Sequence, residues 1–359
     1  MRMCGAEAGR FPRTVRRENG VVCVDVGIPG EPRRGVLSPE TLADLQNGGG
    51  TAAALWGQAL RAGDYAALRA MPPADRDLTS EPVTETELCA ADGQTELPIT
   101  CYRTAAGAAA RPALVYLHGG GFRFGSRRSA AHSTRLLAQL SGAAVFSVEY
   151  RLAPEYPFPC ATRDAWCALR WVCRNAERLG IDRSHVLIGG DSAGGNLAAA
   201  CARRDRNMRT GLLKGQLLVY PVLSQREPDL PGYRFSLSDY QICEEHRRWA
   251  QAEILSLKQT MDAFRLYTRT DREDLSPDAS PLLDKNFAGL PPTWLFCAEF
   301  DSLTRQARAY AARLAAAGVP VCLTVYRGMA HGFMNRLGRY PQAELLHRDM
   351  AQALGQASG

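Results

Sequence analysis

Short apolar segments alternate with helix-forming segments from residue 113 to the end of the chain, and this alternation constrains the fold most strongly. Six segments are strand-like: Ala113–Leu117, Ala144–Val148, Val186–Ile188, Gln216–Tyr220, Trp294–Ala298 and Val321–Tyr326. The helical segments include Ala161–Leu179, Ala193–Arg203, Leu303–Ala317 and Gln342–Leu354. Because strands that are apolar along their whole length are buried on both faces, this order predicts an α/β fold with a mostly parallel sheet flanked by helices.

Two regions depart from this alternation. Residues 1–36 are rich in Arg, Gly and Pro and are predicted to be a flexible extension, whereas residues 37–75 carry helical patterns. Between the two parts of the core, residues 76–221 and 291–359, lie about seventy residues without a clear core strand. A compact α/β domain does not need that length between two strands. We therefore expect residues 222–290 to be an inserted cap over the strand ends, to which the helices of residues 37–75 contribute.

Composition limits the classes of partner and the cellular compartment. The net charge is +6, but the basic residues are scattered and form no dense block interleaved with aromatic residues, so no nucleic-acid partner is expected. No segment has the length of a membrane span or the pattern of a signal peptide. Eleven cysteines without a Cys-x-x-Cys pair favour a reducing compartment and give no support to a zinc site. The sequence therefore predicts a cytoplasmic protein without a metal.

The most specific local motif is Gly-Asp-Ser-Ala-Gly at residues 190–194, between a strand-like segment and a helix-forming segment. The five-residue pattern alone also fits an ordinary structural turn, but a strand–turn–helix context is typical of a nucleophilic serine. A sharp turn would expose the hydroxyl of Ser192, and the flanking glycines remove side chains that would collide there. The backbone N–H of Ala193, at the start of the helix, is expected to point to where negative charge develops.

A second motif, His118-Gly119-Gly120-Gly121, directly follows the first strand-like segment of the core. Consecutive glycines leave backbone N–H groups uncovered, and an oxyanion needs donors that are fixed before the reaction. We predict that Gly120 and Gly121 form an oxyanion hole together with Ala193. A phosphate-binding loop is the alternative, but the Lys-Ser/Thr ending of a P-loop is missing. His118 and Gly119 are interpreted as support for this loop, with the histidine holding it through hydrogen bonds.

Serine catalysis also needs a histidine base and an acid that orients the histidine. His331 follows the last strand-like segment and Asp301 follows the one before it, so both are expected at the carboxyl edge of the sheet, where active sites of open α/β folds lie. Glu299 competes for the role of the acid, although it lies closer to the strand and could face the other way. Three other histidines are expected on helix surfaces: His132, His246 and His347.

With these motifs, the chain from about residue 83 onwards resembles the bacterial hormone-sensitive-lipase-like carboxylesterases of the α/β-hydrolase superfamily. Further matching segments are Tyr150–Glu155, Tyr220-Pro221, Ser276–Leu282 and His331–Phe333. The resemblance implies hydrolysis of short- to medium-chain carboxylic esters of small molecules through an acyl-enzyme, without a cofactor, and a lid over the site. One departure is the segment after the acid, Asp301–Gln306, which reads Asp-Ser-Leu-Thr-Arg-Gln instead of a sequence like Asp-Pro-Leu-Arg-Asp-Glu.

Two other functions stay open at this point. A deacetylase or amidase that acts on acetylated sugars or drug-like amides would use the same triad, because the lid sets the pocket. The other alternative is a ligand-binding receptor on this fold. The plant gibberellin receptor resembles the family but has lost the catalytic histidine, so the presence of His331 favours an enzyme. Seven aromatic residues are candidate pocket liners: Trp56, Tyr65, Phe122, Phe124, Tyr233, Phe235 and Trp249.

The family resemblance also bears on assembly. In a sheet ordered as in this family, the strand Val321–Tyr326 lies at the edge. An edge strand presents unpaired N–H and C=O groups that can pair with another chain. The strand could therefore pair with its copy in a homodimer.

Overall fold

The structure, a computed structural model, describes residues 11–47, 62–70, 75–91, 96–105, 110–230, 233–263, 265 and 267–356. In this part of the chain, ten strands form one sheet: β1 (Arg13–Glu18), β2 (Val21–Val26), β3 (Val83–Ala91), β4 (Glu96–Thr104), β5 (Arg111–Leu117), β6 (Ala144–Val148), β7 (Ile181–Asp191), β8 (Gly215–Val219), β9 (Thr293–Phe300) and β10 (Val321–Ala330). Their spatial order is β1-β2-β10-β9-β8-β7-β5-β6-β4-β3. The strands from β2 to β6 in this order are parallel, and antiparallel strands flank them at both ends.

Helices cover both faces of this sheet. The α-helices of the described residues are α1 (Pro39–Gln46), α2 (Tyr65–Ala70), α3 (Ala131–Ser141), α4 (Cys160–Arg174), α5 (Ala193–Met208), α6 (Arg247–Ala263), α7 (Asp271–Asp274), α8 (Leu303–Ala316) and α9 (Pro341–Gln356). Successive residues of a strand point to opposite faces, so Val115 belongs to the apolar cluster that includes residues of α4, α5 and α8, whereas Leu114 and Tyr116 belong to the cluster that includes α3 and α9. The α/β fold class predicted from the apolar strands is confirmed.

The N-terminal residues correct the prediction that residues 1–36 form a flexible extension. β1 and β2 form an antiparallel hairpin, with Asn19 and Gly20 at positive φ angles of 48° and 85° in the turn. Every residue of β2 is buried, because the strand is apolar at five of its six positions and lies inside the sheet. Residues 1–10 lie outside the described part of the chain.

The position of β2 also shows that the expectation of an edge strand at Val321–Tyr326 is wrong. β2 pairs in parallel with β10, with Cys322 opposite Val22 and Tyr326 opposite Val26. The backbone groups on that side of β10 are therefore used within the molecule, and the outer strands of the sheet are β1 and β3. A homodimer that pairs two copies of Val321–Tyr326 is not compatible with this arrangement.

The inserted segment packs over the carboxyl end of β9. α6 buries Ala250 and Ile254 against Leu45 of α1 and against Phe300 at the end of β9. α1 begins after Ser38, whose side chain caps the first turn by accepting from a backbone N–H. The segment before β3 and the insertion after β8 therefore meet above the sheet. None of the helices that the structure describes is long and apolar enough to cross a lipid bilayer.

Candidate active site

Ser192 lies in the turn between β7 and α5, at the carboxyl edge of the sheet. Its backbone has φ 54° and ψ −114°, a conformation that costs a residue with a side chain on the order of 1–3 kcal/mol. The turn requires glycine at Gly190 and Gly194, because a Cβ atom there would lie 2.3 Å and 1.9 Å from the carbonyl oxygen of Leu117. This strained turn holds the hydroxyl of Ser192 at the end of the strand.

Three residues predicted from separate motifs meet at this turn. The Nε2 atom of His331 lies 3.0 Å from Ser192 Oγ, and its Nδ1 atom lies 2.7 Å from Asp301 Oδ2. The other carboxylate oxygen of Asp301 accepts from the backbone N–H of Leu303 at 2.8 Å. With Nδ1–H donated to the carboxylate, Nε2 is left to accept the proton of the serine hydroxyl. The geometry is that of a nucleophile, a base and an acid that orients the base.

The competing acid, Glu299, faces away from this histidine. Its two carboxylate oxygens accept from the backbone N–H groups of Gly35 and Gly328, at 3.3 Å and 2.8 Å. Burial raises the pKa of this carboxyl group. Glu299 therefore joins the segment before α1 to β10, and Asp301 is the acid beside His331.

Asp191 has a structural role that the sequence motif did not reveal. Its Oδ1 atom accepts from the backbone N–H of Gly119 and from the hydroxyl of Tyr116, both at 2.8 Å. The side chain is buried, and burial raises its pKa. The residue lies beside Ser192 in the sequence, so its position was a signal, but the contact spans 72 residues. Asp191 thus fixes the glycine loop relative to the serine turn.

The glycine loop is also held from its other side. The Nδ1 atom of His118 lies 2.8 Å from the carbonyl oxygen of Gly119, and its ring stacks on Tyr150 with centroids 4.2 Å apart. The hydroxyl of Tyr150 donates to the carbonyl oxygen of His118 at 2.7 Å. Burial lowers the pKa of His118 to about 4, so this ring is neutral near neutral pH. These contacts agree with a supporting role for His118 and not with that of a base.

Backbone conformation brings the rest of the loop towards the serine. Gly120 has a φ of 121°, and a Cβ atom there would overlap the carbonyl oxygen of Phe124. Gly121 lines the same cavity as Ser192. Ala193 is the first residue of α5, where backbone N–H groups have no partner within the helix. The three predicted donor residues therefore belong to the two segments that meet at Ser192.

A cavity of about 240 Å³ opens beside Ser192 and is covered by α6 and the segment after it. Its lining is mostly apolar near the glycine loop and α6: Phe122, Phe124, Val222, Leu257 and Met261. Polar and charged residues complete the wall: Gln225, Arg226, Thr260, Asp262, Arg265, Thr268 and Asp274. The arrangement can hold a small, largely apolar molecule against the serine hydroxyl.

Two of the seven aromatic residues predicted as pocket liners, Phe122 and Phe124, line this cavity. Tyr233 and Phe235 line a smaller neighbouring hollow, and Trp249 packs in the cluster between α1 and α6. Trp56 lies outside the described residues. The glycine loop and α6 therefore supply most of the apolar cavity wall.

Among the other histidines, the prediction of a surface position is wrong for His347. It is completely buried, and its Nδ1 atom lies 2.7 Å from the carbonyl oxygen of Ala343. Charged neighbours in the sequence suggested exposure, but α9 turns this side of the helix towards α3. His132 is half-buried and lies 2.9 Å from Asp75.

One group of side chains has the composition of a metal site but not its bonding. The ligand atoms of Cys243, Glu245 and His246 lie within 4.8 Å of one another. The Nδ1 atom of His246 accepts from the backbone N–H of Leu37 at 2.9 Å, which leaves the ring proton on Nε2. Glu245 is paired with Arg33 at 3.2 Å. The lone pair of the neutral His246 ring is therefore used by the backbone N–H of Leu37.

Known proteins resemble the chain in sequence and in fold. Residues 114–335 match a family described by the alpha/beta hydrolase fold. The carboxylesterase NlhH of Mycobacterium tuberculosis is 36% identical over 248 residues, which cover 68% of this chain and 73% of that protein. An ethyl acetate hydrolase of Pseudomonas putida is 37% identical over 265 residues, covering 71% and 76% of the two chains. The solved structure of EstE1, a thermostable carboxylesterase from a metagenomic library, is similar with a TM-score of 0.69 at 33% identity, covering 84% and 97%.

Proposed function

Since the chain belongs to the hormone-sensitive-lipase-like carboxylesterases of the α/β-hydrolase superfamily, and is a carboxylic ester hydrolase, we propose that Ser192, His331 and Asp301 are its catalytic triad. The observation that carries this proposal is the unbroken path of hydrogen bonds from Ser192 Oγ through His331 to Asp301. The serine end of this path opens into the largely apolar cavity. A ligand-binding receptor would need the cavity but not the hydrogen bonds from Ser192 through His331 to Asp301.

Acylation follows from this geometry. Ser192 Oγ attacks the ester carbonyl carbon while His331 Nε2 takes the hydroxyl proton, and Asp301 stabilises the imidazolium that forms. His331 then gives this proton to the leaving alcohol, and the acyl group stays on Ser192. Water, deprotonated by His331, attacks the acyl-enzyme, and the acid product leaves as the serine hydroxyl takes back its proton.

The oxyanion of both tetrahedral intermediates needs donors at a fixed position. We assign this role to the backbone N–H groups of Gly120, Gly121 and Ala193, because the two segments that carry them meet at Ser192. Removing one such donor raises a barrier by about 3 kcal/mol in other hydrolases. The bond between Asp191 and Gly119 keeps the glycine loop in place before the substrate arrives.

The cavity supports esters with short to medium acyl chains as substrates. Its volume of about 240 Å³ and its wall of Phe122, Phe124, Leu257 and Met261 suit an apolar group of a few carbon atoms. One relative is named for the hydrolysis of ethyl acetate, a small ester of this kind. We propose that residues 222–290 form the cap over this cavity, because Leu257 and Met261 of α6 line it, and that residues 76–221 and 291–359 form the catalytic core. The described helix α1 of residues 37–75 supports the cap by packing against α6.

The test is the loss of the nucleophile in a protein that stays folded. Ser192→Ala should lower kcat for p-nitrophenyl butyrate by about 10⁴-fold or more and abolish labelling by a fluorophosphonate. The matched control is Ser184→Ala, at the opposite end of β7, where the exposed hydroxyl donates only to Asp182. The control should keep full activity and label with one fluorophosphonate per chain. Labelling of the folded Ser192→Ala variant, or more than a tenth of its original turnover, would show that another residue is the nucleophile.

A further inference from the structure

A further hollow of about 260 Å³ lies between α4, α5 and the end of β3. We call it the arginine groove. Four arginines line it: Arg163, Arg170, Arg174 and Arg204. The other lining residues are Ala91, Trp166, Cys167 and Trp171. No carboxylate belongs to this lining as far as the described residues show.

The helices explain why the arginines converge. Arg163, Arg170 and Arg174 are spaced by seven and four residues on α4, which places their side chains along one face of that helix. Arg204 comes from α5, which packs beside α4. It lies twelve residues after Ser192, so it is roughly 18 Å along the helix at 1.5 Å per residue. The groove is therefore separate from the cavity that contains the serine.

The charges of the groove are not balanced by ion pairs with other described residues. None of its four guanidinium groups forms an ion pair or a hydrogen bond with another residue of the described ranges. The acids on the same helices are used elsewhere. Asp164 of α4 pairs with Arg151 at 2.7 Å, and Asp205 of α5 accepts from the backbone N–H groups of Leu212 and Leu213. Four like charges around one hollow repel each other, and an anion between them would relieve that repulsion.

Tryptophan side chains form the inner wall of the groove. Trp166 is only 3% exposed, and the guanidinium of Arg204 lies over its ring at 5.2 Å from the centroid. This contact holds the charged group in place before any ligand binds, which lowers the entropic cost of binding. A membrane-docking surface would present its aromatic rings outwards, whereas Trp166 is buried and Trp171 is only partly exposed. The shape favours a small molecule that enters the hollow.

We propose that the arginine groove binds a small soluble anion that carries two or more phosphate groups. The planar guanidinium fork matches the oxygen atoms of a phosphate in pairs and stays charged at any physiological pH. Four guanidinium groups match the charge of a diphosphate or triphosphate better than that of a single phosphate or carboxylate. The site is independent of ester hydrolysis, and it adds a ligand class that the active-site cavity does not select.

The experiment titrates the full-length protein with pyrophosphate, tripolyphosphate and orthophosphate by isothermal calorimetry at low salt. We expect tripolyphosphate and pyrophosphate to bind at least about tenfold more tightly than orthophosphate, and their affinity to fall steeply as salt is added. Arg170→Gln and Arg174→Gln should each weaken pyrophosphate binding by about tenfold. The control Arg17→Gln, on an exposed position of β1, should bind like the original protein.

The same variants separate a lost site from a lost fold. Hydrolysis of p-nitrophenyl butyrate should have the same kcat/KM in Arg170→Gln, Arg174→Gln and the original protein, because the groove does not contact the active-site cavity. Equal weakening of pyrophosphate binding by Arg17→Gln would show a diffuse charge effect and overturn the proposal. Absence of pyrophosphate and tripolyphosphate binding would overturn it as well, whether or not the protein then bound vesicles of phosphatidylglycerol.

Discussion

The active-site cavity and the arginine groove have similar volumes, about 240 and 260 Å³, but they differ in whether their charged side chains are paired within the molecule. Beside the cavity, the carboxylates of Asp301 and Asp191 each accept hydrogen bonds of 2.7–2.8 Å from groups of the same molecule. In the groove, like charges face a common space, and none of the described lining residues supplies a counter-charge. Internal pairing fixes the geometry that a reaction needs, whereas its absence leaves charge available to a ligand.

The largest loss of activity should come from removing the charge of Asp301, the carboxylate that pairs with His331. In Asp301→Asn the amide no longer stabilises the imidazolium or selects the ring tautomer in which Nε2 accepts a proton. We expect kcat for p-nitrophenyl butyrate to fall by about 10³–10⁴-fold at pH 7.5. Pyrophosphate binding by the groove should not change, because the groove shares no residue with this pair.

The matched control is the neighbouring acid. Glu299→Gln also replaces a buried carboxylate, but one that accepts from the backbone N–H groups of Gly35 and Gly328 and not from His331. Its kcat should fall by about tenfold at most, since one of the two backbone bonds survives. A loss in Glu299→Gln as large as that in Asp301→Asn would contradict the assignment of the acid.

A smaller loss of activity is expected when Asp191, whose carboxylate holds the glycine loop, is replaced. Asp191→Ala leaves the N–H of Gly119 without its acceptor and leaves the hydroxyl of Tyr116 with only the weak acceptor Met334 Sδ at 3.6 Å, and an unsatisfied buried group costs about 1–3 kcal/mol. The glycine loop would then hold its donors less firmly, so we expect kcat to fall by about 10–100-fold with little change in KM. Steady-state kinetics on p-nitrophenyl butyrate measure both constants.

The conservative variant Asp191→Asn distinguishes positioning from a need for negative charge. Its Oδ1 atom can still accept from both Gly119 and Tyr116, so kcat should stay within about tenfold of the original value. If Asn were as damaging as Ala, the charge of Asp191 and not its hydrogen bonds would be what the reaction requires.

The sequence predicted the active site better than the arginine groove, because the catalytic residues follow recognisable local patterns whereas the groove depends on contacts between helices. Ser192, Asp301 and His331 each follow an apolar strand, and in a parallel sheet such ends share one edge, so three local signals were enough to place them together. The groove depends on which faces of α4 and α5 meet, and its arginines are too widely spaced in the sequence to form a recognisable basic motif. The hydrogen bond between Asp191 and Gly119 could not be predicted from the sequence either, because it joins two segments that are 72 residues apart.

Two errors had local causes. The prediction of a flexible segment follows from the Arg, Gly and Pro residues around β1 and β2, yet Asn19-Gly20 is a typical hairpin-turn pair and the apolar segment Val21–Val26 comes directly after it. That strand pair in turn moved the edge of the sheet away from β10. The charged neighbours Glu344 and Arg348 predict a surface position for His347, although Leu346 and Met350 indicate a buried face of α9.

His347 sharpens the comparison, because one of its ring nitrogens lacks a partner among the described residues and the side chain is shielded from solvent. Its Nε2 atom has no hydrogen-bond partner among the described residues, and the side chain is completely buried. Arg163 and Arg174 of the groove are exposed to solvent, whereas burial lowers the pKa of His347 to about 4. The folded protein therefore keeps this ring neutral at a pH where the unfolded chain, with its ordinary histidine pKa of about 6.5, takes up a proton.

The smallest effect is therefore one of stability in mild acid. A lowered histidine pKa leaves the free energy of unfolding unaffected above pH 6.5 and reduces it as the pH falls towards 4, by about 2 kcal/mol between pH 8 and pH 5. Asn at position 347 can still donate to the carbonyl oxygen of Ala343 but does not titrate. In urea unfolding at pH 8 and pH 5, His347→Asn should lose about 2 kcal/mol less than the original protein over this interval, even if it is less stable at pH 8. An equal loss in both proteins would show that the buried ring is not what makes the fold sensitive to acid.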